Sequence, residues 1–189
     1  MEFIEVAGPL DLAATLESGQ AFRWRYHSSW YWGIIYGNLV RVRQGLLGVE
    51  FLSMPEPEEV FMPQLRDYLR LEDDIHAIYR SIEKDDHMAR VIAQHRGLRI
   101  LRQEPWECLV AFICSANSNI PRISATMETL ARQYGRPLKL GRYVDYSFPT
   151  PERLADVGEV DLRALKMGFR AKYVAQVAEI VARGQVELE

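Results

Sequence analysis

The stretch that decides the fold runs from Ala21 to Gln44 and reads AFRWRYHSSWYWGIIYGNLVRVRQ. From Ala21 to Tyr26 the pattern alternates, with Phe22, Trp24 and Tyr26 on one face and Arg23 and Arg25 on the other, which is the period of a half-buried strand. His27-Ser28-Ser29 interrupts it, and Trp30–Tyr36 follows as a second, aromatic-rich strand. Gly37-Asn38 is a two-residue hairpin signal, after which Leu39, Val40 and Val42 alternate loosely with Arg41 and Arg43. Outward from this core, Gly45 and Gly48 bracket a further turn before Val49–Leu52, Phe3–Val6 forms a short leading strand, and Pro9–Glu17 a helical piece. Stacking on bases is open to these aromatic side chains, but packing in a sheet accounts for most of them.

At Pro55 the period changes from two to about 3.6. Pro57-Glu58-Glu59 opens a helix that Pro63 is expected to break or restart. Asp73 or Asp74 caps Ile75–Glu83, and Asp85 or Asp86 caps His87–His95, with Gly97 as the stop. An apolar helix runs from Glu104-Pro105-Trp106 to Cys114, and another from Ile120-Pro121 to Tyr134 with Gly135 in the C′ position. Thr150-Pro151-Glu152 starts a helix that ends near Gly168, and Ala171–Arg183 is the last. The expected class is α+β: a small antiparallel sheet domain over 1–96, then an all-α domain over 97–189, with the boundary in Gln94–Arg102.

Composition narrows the function. The 189 residues carry a net charge of -3 and 48% hydrophobic residues, ordinary for a globular protein. No run approaches ~18 apolar residues, so no membrane-spanning helix is expected, and the opening Met1-Glu2-Phe3-Ile4-Glu5 does not read as a signal peptide. Cys108 and Cys114 make no disulfide framework and fit a reducing, cytoplasmic setting. The charge is unevenly spread. Residues 1–89 hold 8 basic and 15 acidic side chains, whereas residues 90–189 hold 15 and 11. Charge alone favours solvated helix faces over a phosphate-facing stripe in the basic stretch from Arg90 to Arg142. A sequence pI near 5.9 argues against indiscriminate coating of nucleic acid. The four histidines and two cysteines lack zinc-ligand spacing, and no phosphate loop, dinucleotide fingerprint or nucleophile elbow occurs. Neither a metal nor a cofactor is expected.

Three segments remain unusual. Cys114-Ser115-Ala116-Asn117-Ser118-Asn119-Ile120-Pro121-Arg122 takes an apolar helix into small polar residues and restarts it with proline. Asparagine amides and an arginine fork suit base edges or phosphates, and the same residues equally make an ordinary helix–helix turn. Gly168-Phe169-Arg170 puts an aromatic and an arginine between two helices, as either an intercalating wedge or a satellite core residue. Leu16-Glu17-Ser18-Gly19-Gln20-Ala21-Phe22-Arg23-Trp24 places glycine backbone ahead of a strand.

Together and in this order, these segments resemble the 8-oxoguanine DNA glycosylase family of the helix-hairpin-helix superfamily. The likeness extends over nearly the whole chain, through Leu98-Arg99-Ile100-Leu101-Arg102-Gln103-Glu104-Pro105, Phe112-Ile113-Cys114-Ser115 and Leu165 to Val174. It implies that Asn117, Arg122 and Arg170 read the cytosine orphaned when the damaged base is extruded. It also implies that Phe169 is the wedge filling the gap, where relatives often have tyrosine, and that Asn119 belongs to the same DNA-binding loop. Gly19 falls where a backbone carbonyl accepts the N7 hydrogen that distinguishes 8-oxoguanine from guanine. Ser118 and Ala116 stand where the family has asparagine and serine.

The family's nucleophile is a lysine in a Gly-rich hairpin, followed by an aspartate. None of Lys84, Lys139, Lys166 and Lys172 sits in such a hairpin, so both catalytic residues are expected beyond Glu189. The resemblance implies a monomer acting on double-stranded DNA that contains an oxidised purine, with no membrane association. It would be cytoplasmic or nucleoid-associated, or nuclear in a eukaryote. Two other readings stand beside it: a non-catalytic DNA-binding or structural module, favoured by the missing nucleophile, and an alkylated-base glycosylase of the same superfamily. The Asn117…Arg122 pair speaks against the last.

Overall fold

A computed structural model describes residues 2–188; Met1, with which the N-terminal reading began, and Glu189 lie outside the described residues. The chain divides into two compact units, one made of residues up to Ile35 together with Val40–Arg102, the other of Tyr36–Leu39 and Gln103 onward.

The first unit carries a five-stranded antiparallel sheet in the order β1-β5-β4-β3-β2. Its strands are β1 (Glu2–Glu5), β2 (Arg25–His27), β3 (Trp30–Ile35), β4 (Asn38–Gln44) and β5 (Gly48–Met54). The register sets Ile4 against Val49 and Tyr26 against Tyr31. Two-residue turns with both φ values positive close the hairpins, Ser28-Ser29 (φ 50° and 65°) and Tyr36-Gly37 (φ 47° and 75°). Primed turns of this kind match the right-handed twist of paired strands. The second hairpin therefore turns one residue earlier than Gly37-Asn38, and the buried Asn38 opens β4 with its side-chain amide donating to the Tyr36 carbonyl.

The alternation from Ala21 to Trp24 does not produce strand. These residues instead deliver the Trp24 ring onto Gly33, where an added Cβ would lie 2.7 Å from the ring, and Trp24 Nε1–H donates to the Tyr68 hydroxyl at 3.0 Å. Helix α1 (Leu12–Glu17), capped by Asp11 Oδ1 accepting from the Ala14 N–H, and α2 (Glu58–Tyr68) supply the rest of the core. Leu12, Leu16, Phe61 and Leu65 pack there with Ile4, Val40, Val42, Val49 and Phe51. Helix α2 runs through Pro63 without a break. Pro63 and Glu59, the residue one turn earlier, are both exposed, so water replaces the missing hydrogen bond at little cost. Helices α3 (Ile75–Ile82) and α4 (Asp86–Gln94) are capped by Asp74 and Asp85 respectively.

The second unit contains α5 (Pro105–Ser115), α6 (Ile120–Tyr134), a hairpin of β6 (Pro137–Leu140) and β7 (Tyr143–Tyr146), α7 (Pro151–Leu162), a π-turn over Arg163–Met167 and α8 (Arg170–Ala182). Trp106 Nε1–H donates to the Pro149 carbonyl at 2.9 Å, fixing the start of α5 to the chain that enters α7. Gly135 ends α6, but at φ -80° rather than in the left-handed conformation expected of a C′ glycine. Space requires it: an added Cβ would stand 1.8 Å from the Ser147 carbonyl oxygen. Gly135→Ala is accordingly expected to destabilise the protein by about 1–3 kcal/mol, read as a lowered midpoint in chemical denaturation; an unchanged midpoint would show that the β7 end gives way freely.

Candidate nucleic-acid interface

Two chain breaks meet in the second unit. Helix α5 is held by buried Trp106, Val110, Ala111 and Cys114, and it ends where Ser115 Oγ–H turns back to the Phe112 carbonyl at 2.7 Å. Ala116 leaves the helix with ψ 117°, and Asn117 takes φ 50°, a left-handed conformation that asparagine tolerates better than most residues. The Ser118 N–H donates to the Ser115 carbonyl at 3.1 Å. Asn119 then caps α6, its Oδ1 accepting from the Arg122 N–H at 3.0 Å. Asn119 is thus committed to the helix start through its oxygen, while its amide nitrogen remains a donor. Arg122 lies exposed in the first turn of α6, where a cation opposes the helix dipole, so helix stability does not explain it.

The second break lies between α7 and α8. Lys166 and Gly168 both have positive φ (64° and 61°). The turn presents Phe169, 49% exposed, immediately before α8. Arg170, the first residue of that helix, is only 5% exposed. Its guanidinium is turned inward: Nε donates to the Ala116 carbonyl at 3.0 Å and Nη2 to the Asn117 carbonyl at 2.8 Å. Nη2 also donates to the Ala116 carbonyl, and Nη1 to that of Met167 at 3.4 Å. Its Cζ stands 4.7 Å from the centre of the Phe169 ring. One side chain therefore joins the asparagine segment to the aromatic turn across 53 residues. Five of the six residues singled out in the sequence, Asn117, Asn119, Arg122, Phe169 and Arg170, belong to these two breaks.

Cys114 is buried one turn before Asn117, and desolvation pushes its thiol up to about 11, against the opposing charge of Arg170.

Gly19 lies in the first unit, in the turn after α1, with φ +82°. Its neighbour Gln20, to which the sequence reading gave no role, fixes that turn. Gln20 Nε2–H donates to the Arg99 carbonyl at 2.9 Å, and Gln20 Oε1 accepts from the Leu101 N–H at 2.9 Å. Thr15 Oγ1 accepts from the Arg99 N–H at 3.1 Å. The glutamine amide thus pairs with an irregular segment 80 residues away much as a strand would. The signal available in sequence was only the polar Gln20 lodged between Gly19 and an apolar run.

Residues 4–109 match the family described as 8-oxoguanine DNA glycosylase, N-terminal domain, and residues 110–187 the HhH-GPD superfamily of base excision DNA repair proteins. The chain belongs to the 8-oxoguanine DNA glycosylase family. It is 33% identical over 173 residues to N-glycosylase/DNA lyase OGG1 of Arabidopsis thaliana, covering 87% of this chain and 47% of the plant protein. A solved structure of MBOgg1 in complex with a low-affinity DNA ligand superposes with a TM-score of 0.90 at 32% identity, over 100% of this chain and 68% of that one. The Clostridium acetobutylicum 8-oxoguanine glycosylase/lyase, bound to double-stranded DNA with cytosine opposite 8-oxoG, superposes with a TM-score of 0.86 at 28% identity, over 99% of this chain and 68% of that one. The chain spans about half the length of the curated relatives it matches.

In this member of the glycosylase family, the geometry carries two checks. Gln20→Ala leaves the Leu101 N–H and the Arg99 carbonyl without their partner and is expected to cost about 1–3 kcal/mol of stability, measured by denaturation; a loss below the error of the measurement would show that the bracket around Gly19 is redundant. Of the two thiols, exposed Cys108 is expected to alkylate in the native protein at pH 8 and Cys114 only after unfolding. Counting labelled thiols by mass spectrometry, native against denatured, checks this.

Proposed function

We propose that this chain is the damage-sensing and cytosine-reading part of a base-excision DNA glycosylase. The enzyme flips out and removes 8-oxoguanine paired with cytosine, and in its complete form also cuts the abasic strand as an AP lyase. The observation that carries this reading is the pairing of Asn117, left-handed and exposed, with an exposed Arg122 on the following helix turn, beside the half-exposed ring of Phe169.

Base flipping costs a few kcal/mol. An aromatic ring stacked into the vacancy returns about 1–3 kcal/mol, and polar contacts to the orphan cytosine supply the rest together with the choice of base. Asn117 offers an acceptor for the cytosine N4 amine, and Arg122 offers donors for its ring nitrogen and carbonyl oxygen. The ring of Phe169 suffices for stacking without a tyrosine hydroxyl. In the first unit, the Gly19 carbonyl accepts the N7–H of 8-oxoguanine. Guanine has an acceptor at that position, so two lone pairs would face each other and the undamaged base is rejected. The partner is double-stranded DNA with an oxidised purine, met by a monomer in the cytoplasm or nucleoid, or in the nucleus of a eukaryote. No helix among the described residues is long and apolar enough to cross a membrane.

Arg122→Ala tests the cytosine reader. Binding to a duplex with 8-oxoguanine opposite cytosine is expected to fall about 10- to 100-fold more than binding to undamaged duplex, the worth of a base-specific arginine contact. Equal losses on both duplexes would mean that Arg122 touches only phosphate. The nucleophile is tested separately. Lys139 lies on β6, Lys172 on α8, Lys166 in the π-turn, and Lys84 in the glycine-free connection Glu83-Lys84-Asp85 between α3 and α4, so none occupies a Gly-rich hairpin between helices. Borohydride reduction of residues 1–189 with lesion DNA is expected to trap no covalent adduct; a trapped adduct, mapped by mass spectrometry to one of these four lysines, would overturn that expectation.

A further inference from the structure

Two exposed lysines flank the Phe169 turn, and the fold explains neither. Lys166, three residues before the ring, lies in the π-turn with φ 64° and ψ 22°. Its charge suits the end of a helical run, but its backbone does not. A residue with a Cβ is strained in the left-handed region, where glycine is the usual choice. Lys172, three residues after the ring, stands in the first turn of α8, where a cation opposes the helix dipole. No acid can offset it along the helix, because the places three and four residues away hold Gly168, Phe169, Ala175 and Gln176. Neither ammonium has a hydrogen-bond or ion-pair partner among the described residues. The neighbouring arginines are engaged: Arg163 pairs with Glu159, and Arg170 turns to backbone carbonyls.

A strained backbone and an opposed dipole, both at unpaired charges, point to an anion supplied from outside the chain. Both lysines are tied to the half-exposed ring. Lys166 is separated from Phe169 by at most about 11 Å of extended chain, and Lys172 lies one turn further along the same face of α8. The anions nearest a ring inserted into a base stack are the phosphates beside that step. A lysine, a flexible point charge without a directional fork, suits a phosphate better than a base edge. We propose that Lys166 and Lys172 are a phosphate clamp on either side of the Phe169 ring, holding the duplex backbone while the ring enters. The clamp contributes affinity and no lesion information. It rests on the reading of Phe169 as the wedge that fills the gap in the duplex.

The test uses the 189-residue chain with Lys166→Gln, Lys172→Gln, both together, and each lysine replaced by arginine. Binding to undamaged duplex and to duplex with 8-oxoguanine opposite cytosine is measured as a function of salt. Each glutamine is expected to lower the slope of log affinity against log salt by about 1, and the affinity at 0.1 M salt by roughly eightfold, the counterion release of one phosphate. The loss is expected to be equal on both duplexes, and the arginine variants are expected to keep the slope. Lys166→Gly is expected to weaken binding in the same way while raising the midpoint of chemical denaturation; a lowered midpoint would give Lys166 a role in the fold and overturn its part. Single methylphosphonates, which are neutral, are then placed within two nucleotides of the 8-oxoguanine–cytosine pair. Two positions that weaken the unaltered chain are expected to fall silent in the double glutamine variant. An unchanged slope in that variant overturns the proposal, as does a methylphosphonate pattern that persists in it. Losses confined to the lesion duplex overturn it too, and make the lysines base readers. If the chain binds both duplexes equally yet the double variant loses its slope, the damage-sensing reading falls and the clamp stands. If the slope holds while Arg122→Ala still loses the lesion preference, the clamp falls alone.

Discussion

A helix that stops must do something with its last carbonyls, and in this protein the answer at Ser115 organises the second unit. Helix α5 is mostly apolar and buries one face, and its last carbonyls need partners beyond the helix. The Ser115 hydroxyl returns to Phe112, and a guanidinium 54 residues away in sequence closes on Ala116. Because Arg170 sits beside Phe169 at the head of α8, satisfying those carbonyls also fixes where α8 begins and where the exposed ring stands. The segment that follows α5 can then afford a left-handed asparagine and an immediate restart, capped by Asn119.

The first unit solves a similar problem by a similar route. The segment from Leu98 to Arg102 runs without regular structure and needs partners for its backbone, which it finds in side chains. Thr15 Oγ1 accepts from the Arg99 N–H and Gln20 brackets Arg99 and Leu101. The Arg99 side chain, 4% exposed, carries its guanidinium to the carbonyls of Arg70 and Pro9. Burial draws the Arg99 pKa below its ordinary value, with the charges of Asp73 and Tyr79 opposing the shift. In both units, then, a buried arginine spends its donors on the carbonyls of distant chain breaks.

These devices mark the line between what the sequence made legible and what it did not. The antiparallel sheet, the change of period at Pro55, the Asp85 and Thr150 caps and the two breaks at Asn117 and Phe169 follow from local patterns, which depend on neighbours within a few residues. The hairpin over Pro137–Tyr146 carries only a weak local signal, Leu138 and Leu140 spaced by two with Gly141 at the turn, set among longer helical patterns. The strand expected at Ala21–Trp24 failed because an alternating pattern only says that every second side chain is buried. Trp24 is half-buried against Gly33, on the neighbouring stretch of chain, rather than by pairing. Gly135 ends α6 as its position suggests, but what demands its missing side chain is the Ser147 carbonyl, not a left-handed turn. The inward turn of Arg170 had no sequence signal at all, because an arginine after an aromatic reads as an exposed cation unless the carbonyls it meets are known.

The distribution of these contacts bears on the proposed reading of an orphan base. A base reader gains specificity only to the extent that its donors and acceptors are already in place, since any ordering left until binding is subtracted from the discrimination. Side chains on a free loop would lose rotamer and backbone entropy at that moment. Here the backbone beneath Asn117 is held by a buried guanidinium, that beneath Arg122 by the Asn119 cap, and the turn at Gly19 by the Gln20 amide. Each is a bond to backbone within its own unit. On the proposed reading, the elements that would distinguish one base from another are ordered by hydrogen bonds that also hold the turn after α1, the segment after α5 and the start of α6, so a sequence change that weakened recognition by loosening these loops would also register as lost stability.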